Sequence, residues 1–222
     1  DAGGDFAIPD YESASVIPWT KANFSSVYIA AGVTGIGDFA FANIVTLRNL
    51  TIENASDISD IGRNAFYNCQ YMESELDLSG VETLGEYAFY NCGRITSVTL
   101  PDSAPEAVEW DEETGTEVTT PKKIPAHVFD SSGIRNVNIP NDTQYIGESA
   151  FQSCPLSELT ELELPEGLVE IGDHAFYRAV GSPNTALTSL TIPSTVTTIG
   201  EFAFHNYQGL AEVTVERGVD GN

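Results

Sequence analysis

A short phrase, an apolar residue followed by Gly-x-x-Ala-Phe, recurs with variation along this chain and constrains its fold more than any other feature. Successive copies place their phenylalanines 25, 23, 40, 22, 25 and 28 residues apart. Self-similarity at a period of about 20 to 50 residues is typical of a solenoid, in which each repeat forms one coil of a stack. The seven phenylalanines are Phe41, Phe66, Phe89, Phe129, Phe151, Phe176 and Phe204.

A second motif, apolar-x-x-apolar-x-apolar, follows most copies of the first and reads LRNLTI at residues 47–52. Its last four residues alternate between polar and apolar, which predicts a strand with one buried face. A further apolar residue before each Ile-Gly pair, such as Val33 before Ile36 and Val196 before Ile199, predicts a second, very short strand. Each coil is therefore expected to contain a strand, a corner, and about one turn of helix that carries the Ala-Phe pair. Further strands of the first kind are predicted at residues 24–30, 95–100, 134–139, 159–164, 187–192 and 210–215.

The alternation of LTSLTIP, at residues 187–193, with phrases such as IGDHAF, at residues 171–176, resembles the BspA-type leucine-rich repeat of bacterial and some protist surface proteins. The resemblance runs from about residue 19 to residue 215. It implies a repeat solenoid, a leucine-rich-repeat-like right-handed coil with a parallel concave β-sheet and short helical or turn segments on the convex side. It also implies a secreted or surface-anchored protein, for which adhesion or host-protein binding is the usual proposal, and it supplies no catalytic residues.

The domain organisation follows from where the repeat begins and where it is interrupted. We expect residues 1–18 to be a flexible N-terminal lead or cap and residues 19–222 to form one solenoid of about seven to eight coils. An insertion at residues 102–123 breaks the period, and its AVEW and TEVT segments flank DEETG, which predicts a hairpin with glycine at the turn. Trp110 in this hairpin either meets a ligand or folds back to cover the solenoid.

The composition argues against two classes of partner. Nine Lys and Arg residues against 33 Asp and Glu residues give a net charge of −24, which is adverse to nucleic acid and to anionic membranes. No segment approaches the roughly 20 apolar residues that a membrane helix needs, so no direct membrane insertion is expected. The chain starts at Asp1 without a hydrophobic run, which fits a processed mature protein whose signal or anchor segment is not present in this chain.

The reactive side chains of the chain fall on repeat positions. Cys69, Cys92 and Cys154 share one slot after the phenylalanine, which predicts buried structural thiols, although a bridge between Cys69 and Cys92 is conceivable. His127 and His174 are expected about 10 Å apart, too far to share a metal. The corner glycines are read as positions of positive φ or of close packing.

The candidate ligand-binding surface, which we call the polar strand face, consists of solvent-facing side chains of the predicted strands. Glu161 and Glu163 point the same way, but they stand on an open face without the apolar enclosure that acid–base catalysis uses. We therefore predict no enzyme activity, no catalytic or metal site and no cofactor. The predicted binding residues on this face are Tyr28, Asn49, Thr51, Glu75, Asp77, Asn136, Asn138, Glu161 and Glu163, and Trp110 is added from the insertion.

The sequence favours a non-catalytic, extracellular or cell-surface binding module, adhesin-like, that engages a protein or a glycan through the concave face and the insertion. The alternative is a structural spacer or stalk segment of a larger surface protein. A repeat scaffold does not by itself specify a function, because function on such a scaffold depends on the residues of one face.

Overall fold

The two motifs form two kinds of strand, and together they build a β-solenoid of about eight turns. The computed structural model describes residues 6–217. This architecture confirms the predicted repeat solenoid with parallel strands. The strands are β1 (Phe6–Ile8), β2 (Ser26–Ile29), β3 (Val33–Ile36), β4 (Asn49–Ile52), β5 (Asp60–Ile61), β6 (Leu76–Asp77), β7 (Thr83–Gly85), β8 (Val98–Thr99), β9 (Glu106–Asp111), β10 (Thr116–Thr120), β11 (Lys123–Ile124), β12 (Tyr145–Ile146), β13 (Glu170–Ile171), β14 (Ser189–Ile192), β15 (Thr198–Ile199) and β16 (Glu212–Val215).

The short strands before the corners pair into the two longest sheets of the solenoid. One sheet has the order β1-β3-β5-β7-β9-β10, and the other has the order β11-β12-β13-β15. All pairs are parallel except β9 with β10. Ile36, Ile61 and Leu84 lie in register and are buried, so one apolar column runs through successive coils. The predicted second strand is confirmed.

The longer motif forms strands only in pairs. The pairs are β2 with β4, β6 with β8, and β14 with β16. The strands predicted at residues 134–139 and 159–164 are wrong, because neither segment is part of a sheet. In the first of these segments the Asn136 side chain accepts the main-chain N–H of Val137 at 3.0 Å, and this bond competes with a sheet ladder. The second segment is thereby left without a paired neighbour on that side.

The corner segments, expected as short helices or turns, are turns. Phe41 donates its N–H to the carbonyl of Ala65 in the next coil at 2.8 Å, whereas Ala42 donates back to Phe39 at 2.9 Å. The phenylalanines of five further corners repeat the bond to the next coil. An α-helix would direct each N–H to the carbonyl four residues earlier, so this alternation is incompatible with a helix. Among residues 6–217 the one helical segment is the 3-10 turn Ala55–Asp57.

The phenylalanines form a continuous stack through the core. Neighbouring rings are parallel within 19°, and their centroids lie 5.3–5.8 Å apart. Trp19 adds a ring at the N-terminal end, stacked on Phe41 at 5.4 Å. The two widest steps, 5.8 and 5.6 Å, lie on either side of Phe129, in the coil that follows the insertion.

The corner glycines are required for close packing and not for positive φ. A Cβ on Gly85 would lie 2.3 Å from the main-chain nitrogen of Arg63 in the preceding coil. Left-handed backbone occurs instead two residues before each phenylalanine, as at Tyr87 and Phe202, both with φ 57°. Such a conformation costs on the order of 1 kcal/mol at a non-glycine residue, and the hydrogen bonds between coils offset that cost.

The three cysteines are free and buried, as predicted, and Cys69 is not bridged to Cys92. Each thiol donates to the carbonyl of the phenylalanine in the preceding coil at 3.0–3.2 Å. Burial raises the pKa of Cys69 and of Cys154 to about 12 and raises that of Cys92 well above its ordinary value. These thiols therefore pack as small hydrophobic groups.

The N-terminal segment contributes to the first coil. Strand β1 pairs with β3, and the N–H of Tyr11 donates to the carbonyl of Asp38 at 2.9 Å. The ring of Tyr11 also meets Trp19 edge-on, with centroids 6.3 Å apart. Residues 1–5 of the predicted lead lie outside the described residues, and the boundary at residue 18 stays a prediction.

Candidate functional site

The polar strand face begins with the paired strands β2 and β4. Their register places Tyr28 beside Thr51 and Ser26 beside Asn49, and all four side chains are exposed. The Tyr28 hydroxyl donates to Glu53, whose carboxylate also accepts the N–H of Ala31 at 3.0 Å. These bonds, the one to Ala31 first, lower the pKa of Glu53. Tyr28, Asn49 and Thr51 are therefore brought together on one exposed surface.

Glu75 and Asp77 belong to the next coil, at a small groove between β4 and β6. This groove has a volume of about 270 Å³. The Ser74 hydroxyl joins this coil to β4, because it accepts the N–H of Leu50 at 2.9 Å and donates to the carbonyl of Leu50 at 3.2 Å. Asp77 accepts the N–H of Ser79 at 2.9 Å, which holds its carboxylate close to its own backbone.

A second concavity of the face lies after β8, where the two following coils form no paired strand on this face. Its volume is about 600 Å³, and Asn136, Asn138, Glu161 and Glu163 all line it. Strand β8 forms one wall, and residues 136–141 and 158–163 form the rest. We call this concavity the central groove. Four of the predicted binding residues are thus brought together in a local groove that the sequence did not predict.

Trp110 is separated from the other predicted residues because it belongs to a different sheet. Strand β9 pairs in parallel with β7 and antiparallel with β10, so the hairpin predicted for the insertion is present as an extension of the first corner sheet. The indole lies against the Arg63 guanidinium, whose central carbon is 4.9 Å from the ring centroid, and the side chain remains 41% exposed. Trp110 therefore both covers the solenoid and keeps an exposed edge.

Arg63 links the hairpin to the corners of the solenoid through its side chain, and no feature of the repeat pattern had indicated this role. Its guanidinium lies 3.0 Å from Asp38, 3.8 Å from Glu86 and 3.1 Å from Glu117, and the Arg63 side chain is only 14% exposed. Desolvation raises the pKa of Asp38 and of Glu86 above their ordinary values, and the charge of Arg63 opposes this rise. Glu117 is contributed by β10, so one cation joins three coils and the hairpin.

An acid that follows the corner glycine in most coils explains how the hairpin joins the stack. Asp38 accepts the N–H of Arg63, the equivalent residue of the next coil, at 2.6 Å. At the insertion Glu86 instead accepts the N–H of Trp110 at 3.1 Å, and Glu109 accepts the N–H of Ala126 at 2.8 Å. Glu109 therefore substitutes for the corner acid, and a salt bridge to Lys123 at 2.5 Å fixes it.

A surface cluster of aromatic residues at the corners was also missed. Tyr67 stacks on Tyr90 at 4.8 Å, and Tyr87 stacks on His127 at 4.5 Å. Desolvation, with smaller contributions from nearby acids, raises the pKa of Tyr87 to about 12. The recurrence of aromatic residues at the same slot of neighbouring repeats could have predicted this cluster. Tyr87 and Tyr90 are half-buried.

The chemistry open to the polar strand face is hydrogen bonding and charge pairing. Its exposed carboxylates, amides and hydroxyls suit the donors of a peptide, a cationic side chain or a sugar. Across residues 6–217 no group of three or more His, Cys, Asp or Glu side chains is placed to hold a metal ion. Within the same residues no helix has the length and hydropathy to cross a membrane.

Comparison with known proteins agrees with this architecture. Two solved structures share the fold with this chain. A leucine rich cell surface protein from Faecalibacterium prausnitzii A2-165 is 21% identical, with a TM-score of 0.51 over 94% of this chain and 64% of that protein. A leucine-rich repeat protein from Bacteroides ovatus ATCC 8483 is 17% identical, with a TM-score of 0.50 over 95% of this chain and 69% of that protein. The chain thus spans less than two thirds of the first of these proteins, and no curated protein matches it.

The family is shown by the repeats themselves. The family model of the BspA type leucine rich repeat region matches residues 19–108 and 122–221, in six copies. The unmatched interval contains most of the hairpin, as expected for an insertion into one coil. Because the match extends over most of the sequence, the chain belongs to the BspA-type leucine-rich repeat family.

Proposed function

We propose that the protein is a non-catalytic binding module of the cell surface or the extracellular space, and that it engages a protein or a glycan through the polar strand face. The observation that carries this proposal is the central groove, where Asn136, Asn138, Glu161 and Glu163 converge on a concavity of about 600 Å³. This volume lies within the range of about 300–1,000 Å³ that ligand sites occupy. The likeness to a leucine rich cell surface protein supports the proposed location.

The chemistry of the groove supports binding rather than catalysis. Its carboxylates and amides are exposed, and the face gives them no apolar enclosure of the kind that tunes a catalytic acid. The insertion contributes to ligand binding separately from the central groove, because Trp110 lies on the corner sheet and packs against Arg63 there.

The test is a binding survey with charge-reversed variants. The intact chain and the double variant Glu161→Lys/Glu163→Lys are applied to arrays of extracellular matrix proteins and of glycans. A matched control, Glu82→Lys/Glu106→Lys, changes the net charge equally at two exposed residues beside the first corner sheet. We expect the groove variant to lose the ligands of the intact chain and the control to keep them. Equal binding by all three proteins would show that the face assignment is wrong.

A structural spacer is the second candidate, and the unbroken stack of core rings favours it. A stack with steps of 5.3–5.8 Å from Phe41 to Phe204 gives the rod a regular core of the kind that a stalk needs. A spacer would bind no member of either array. In that case neither the intact chain nor the groove variant nor the control would bind to either array.

A further inference from the structure

We propose that a group of two arginines, one tyrosine and one glutamate beside the polar strand face binds a saccharide that carries a single carboxylate. This group, which we call the arginine–tyrosine cluster, consists of Arg48, Tyr71, Glu73 and Arg94. It is separate from the central groove, whose lining contains none of these residues. The inference goes beyond the proposed function, because it adds a second binding site with a different ligand chemistry.

The repeat itself brings Tyr71 and Arg94 together. Each is the second residue after a buried cysteine, so the two occupy the same slot of consecutive coils. The residues that follow them, Met72 and Ile95, are fully buried and anchor the two turns in the core. The backbone therefore presents both side chains at the surface in a fixed relation.

Arg48 and Arg94 pack on the same tyrosine ring and share one carboxylate. The central carbons of their guanidinium groups lie 5.5 Å and 4.9 Å from the centroid of the Tyr71 ring. Arg94 donates to the Glu73 carboxylate, and the Arg48 guanidinium lies 3.7 Å from it. The N–H of Glu73 also donates to the carbonyl of Arg48 at 2.6 Å, which holds these two residues in neighbouring coils. One positive charge of the cluster is thus in excess.

The rest of the molecule makes this excess selective. Elsewhere in the described chain Arg135 pairs with Glu158 at 3.5 Å, and Lys122 pairs with Asp142 at 3.2 Å, so each cation has an acid of its own. The chain as a whole carries a net charge of −24. A field of this sign repels a polyanion, whereas a local positive spot still attracts one anionic group. The cluster therefore suits a ligand with one negative charge.

The guanidinium of Arg48 keeps its donors available for such a ligand. Its 3.7 Å separation from Glu73 is longer than a hydrogen bond. A guanidinium has five N–H donors in a planar fork that matches the two oxygens of a carboxylate. The side chains of Arg48 and Arg94 are 53% and 48% exposed, so solvent reaches both. A ligand carboxylate can therefore bind to Arg48 while Glu73 remains on Arg94.

Tyr71 provides the surface for the remainder of the ligand. It is 41% exposed although both arginines pack against it. Tyrosine combines an apolar ring with a polar hydroxyl, and a sugar ring likewise combines apolar C–H groups with hydroxyls. Exposed amides adjoin the cluster in the sequence at Gln70 and Asn49, and amides both donate to and accept from hydroxyl groups. A carboxylated saccharide therefore matches the cation, the ring and the amides together.

The experiment compares methyl β-glucuronide with methyl β-glucoside, which differ only in that a carboxylate replaces a hydroxymethyl group. The isotope-labelled intact chain is titrated with each sugar, and the Nε–Hε resonances of its arginines are followed by NMR. We expect the glucuronide to shift the resonances of Arg48 and Arg94 and to bind at least about fivefold more tightly than the glucoside. Added salt should weaken the binding of the glucuronide, because the contact is exposed.

Four protein variants complete the test. Arg48→Gln removes the free guanidinium, and Arg94→Gln leaves Glu73 to pair with Arg48, so each is expected to weaken glucuronide binding about fivefold. Tyr71→Leu should weaken it as well, although the charge of the cluster is kept. Arg135→Gln is the matched control, because it also removes an exposed arginine that pairs with one glutamate, and it should leave binding unchanged. Thermal unfolding establishes that each variant is folded.

Several results would overturn the inference. Absence of glucuronide binding, or equal binding of the two sugars, would show that the cluster does not recognise the carboxylate. An equal loss in Arg135→Gln would mean that net charge, and not the cluster, holds the sugar. A short peptide with blocked ends and one glutamate that binds as tightly as the glucuronide would exclude a saccharide as the specific ligand class.

The groove variant separates this inference from the proposed function. Glu161→Lys/Glu163→Lys leaves the arginine–tyrosine cluster unchanged and is expected to bind the glucuronide at least as tightly as the intact chain does. The same variant is expected to lose the array ligands of the central groove. Failure of the glucuronide to bind, together with groove-dependent binding on the arrays, overturns the cluster as a site and leaves the proposed binding module intact.

Discussion

Replacement of Arg63 by glutamine is the change that most directly tests how the hairpin is held. Arg63→Gln keeps most of the side-chain volume and removes the charge that lies between Asp38, Glu86 and Glu117. The side chains of Asp38 and Glu86 are only 14% and 16% exposed, so both carboxylates would lose their cation in a poorly solvated place.

The magnitude follows from the burial of these partners. Breaking a buried ion pair by removing one partner costs about 3–5 kcal/mol, because a buried charge is left uncompensated. The contact of Arg63 with Trp110 adds about 0.5–1 kcal/mol. Since Glu117 is 48% exposed and contributes little, we expect a loss of about 3 kcal/mol in the free energy of unfolding at pH 7.

The assay is urea unfolding followed by tryptophan fluorescence, with Arg94→Gln as the matched control. Arg94 also pairs with a glutamate, Glu73, and lies over an aromatic ring, Tyr71, but its side chain is 48% exposed. Exposed pairs contribute about 0–1 kcal/mol, so the control is expected to remain close to the unmodified chain. Equal losses in the two variants, or a loss below about 1 kcal/mol for Arg63→Gln, would refute the reasoning.

The pH dependence of the free energy of unfolding provides a second test of the same site. Burial already raises the pKa of Asp38 and Glu86, and removal of the guanidinium raises both further. A carboxyl whose pKa is raised by folding favours the folded state when protonated and disfavours it as the pH rises through that raised pKa. The deficit of Arg63→Gln is therefore expected to shrink as the pH is lowered from 7 toward the range in which both carboxyls protonate.

Three further predictions concern the core and the corners. Gly85→Ala should destabilise the chain by several kcal/mol in thermal unfolding, since its Cβ would meet backbone at 2.3 Å, whereas Gly167→Ala, with no atom within 4 Å, should change stability by less than about 0.5 kcal/mol. Phe129→Ala should lower the free energy of unfolding in urea by about 3–5 kcal/mol because the ring is fully buried. Phe202→Ala, at a residue that is 56% exposed, should lower it far less. Similar losses in the two variants would contradict the role of Phe129 in the stack of core rings. The three cysteines should react with a thiol reagent at pH 8 only as fast as the chain unfolds, because burial raises their pKa values; rapid labelling of the folded protein would show that they are accessible.

The repeat pattern was sufficient to predict the coils, the core phenylalanines, the buried cysteines and the hairpin. It was sufficient because each of these depends on contacts between equivalent slots of adjacent repeats. The turns at the corners were harder to predict, because a left-handed conformation at Tyr87 contradicts local preference and is stabilised only by the neighbouring coils.

The candidate site was likewise predictable only where it depends on local sequence pattern. The exposed residues of the polar strand face could be read from alternation, since burial on one side of a strand is a local pattern. The central groove could not, because the break in pairing depends on the Asn136 side chain capturing the N–H of Val137. The ion pairs of Arg63 could not be predicted for a further reason. Its partner Glu117 is 54 residues away, and the equivalent slot of the neighbouring repeats holds acids, Asp38 and Glu86.

The hydrogen bonds made by the core phenylalanines have an electrical consequence for the column of corners. At six of the seven corners the phenylalanine N–H points toward the coil that follows and its acceptor carbonyl points back, as from Phe41 to Ala65 and from Phe176 to Ala203. Peptide dipoles aligned head to tail add along their common axis, as they do in an α-helix. The corner column therefore carries a dipole along the solenoid, with its positive end at the C-terminal coil. The two ends of this column are therefore electrically distinct, whereas the bonds at the corner glycines, such as that from the N–H of Gly62 to the carbonyl of Ile36, run in the opposite direction.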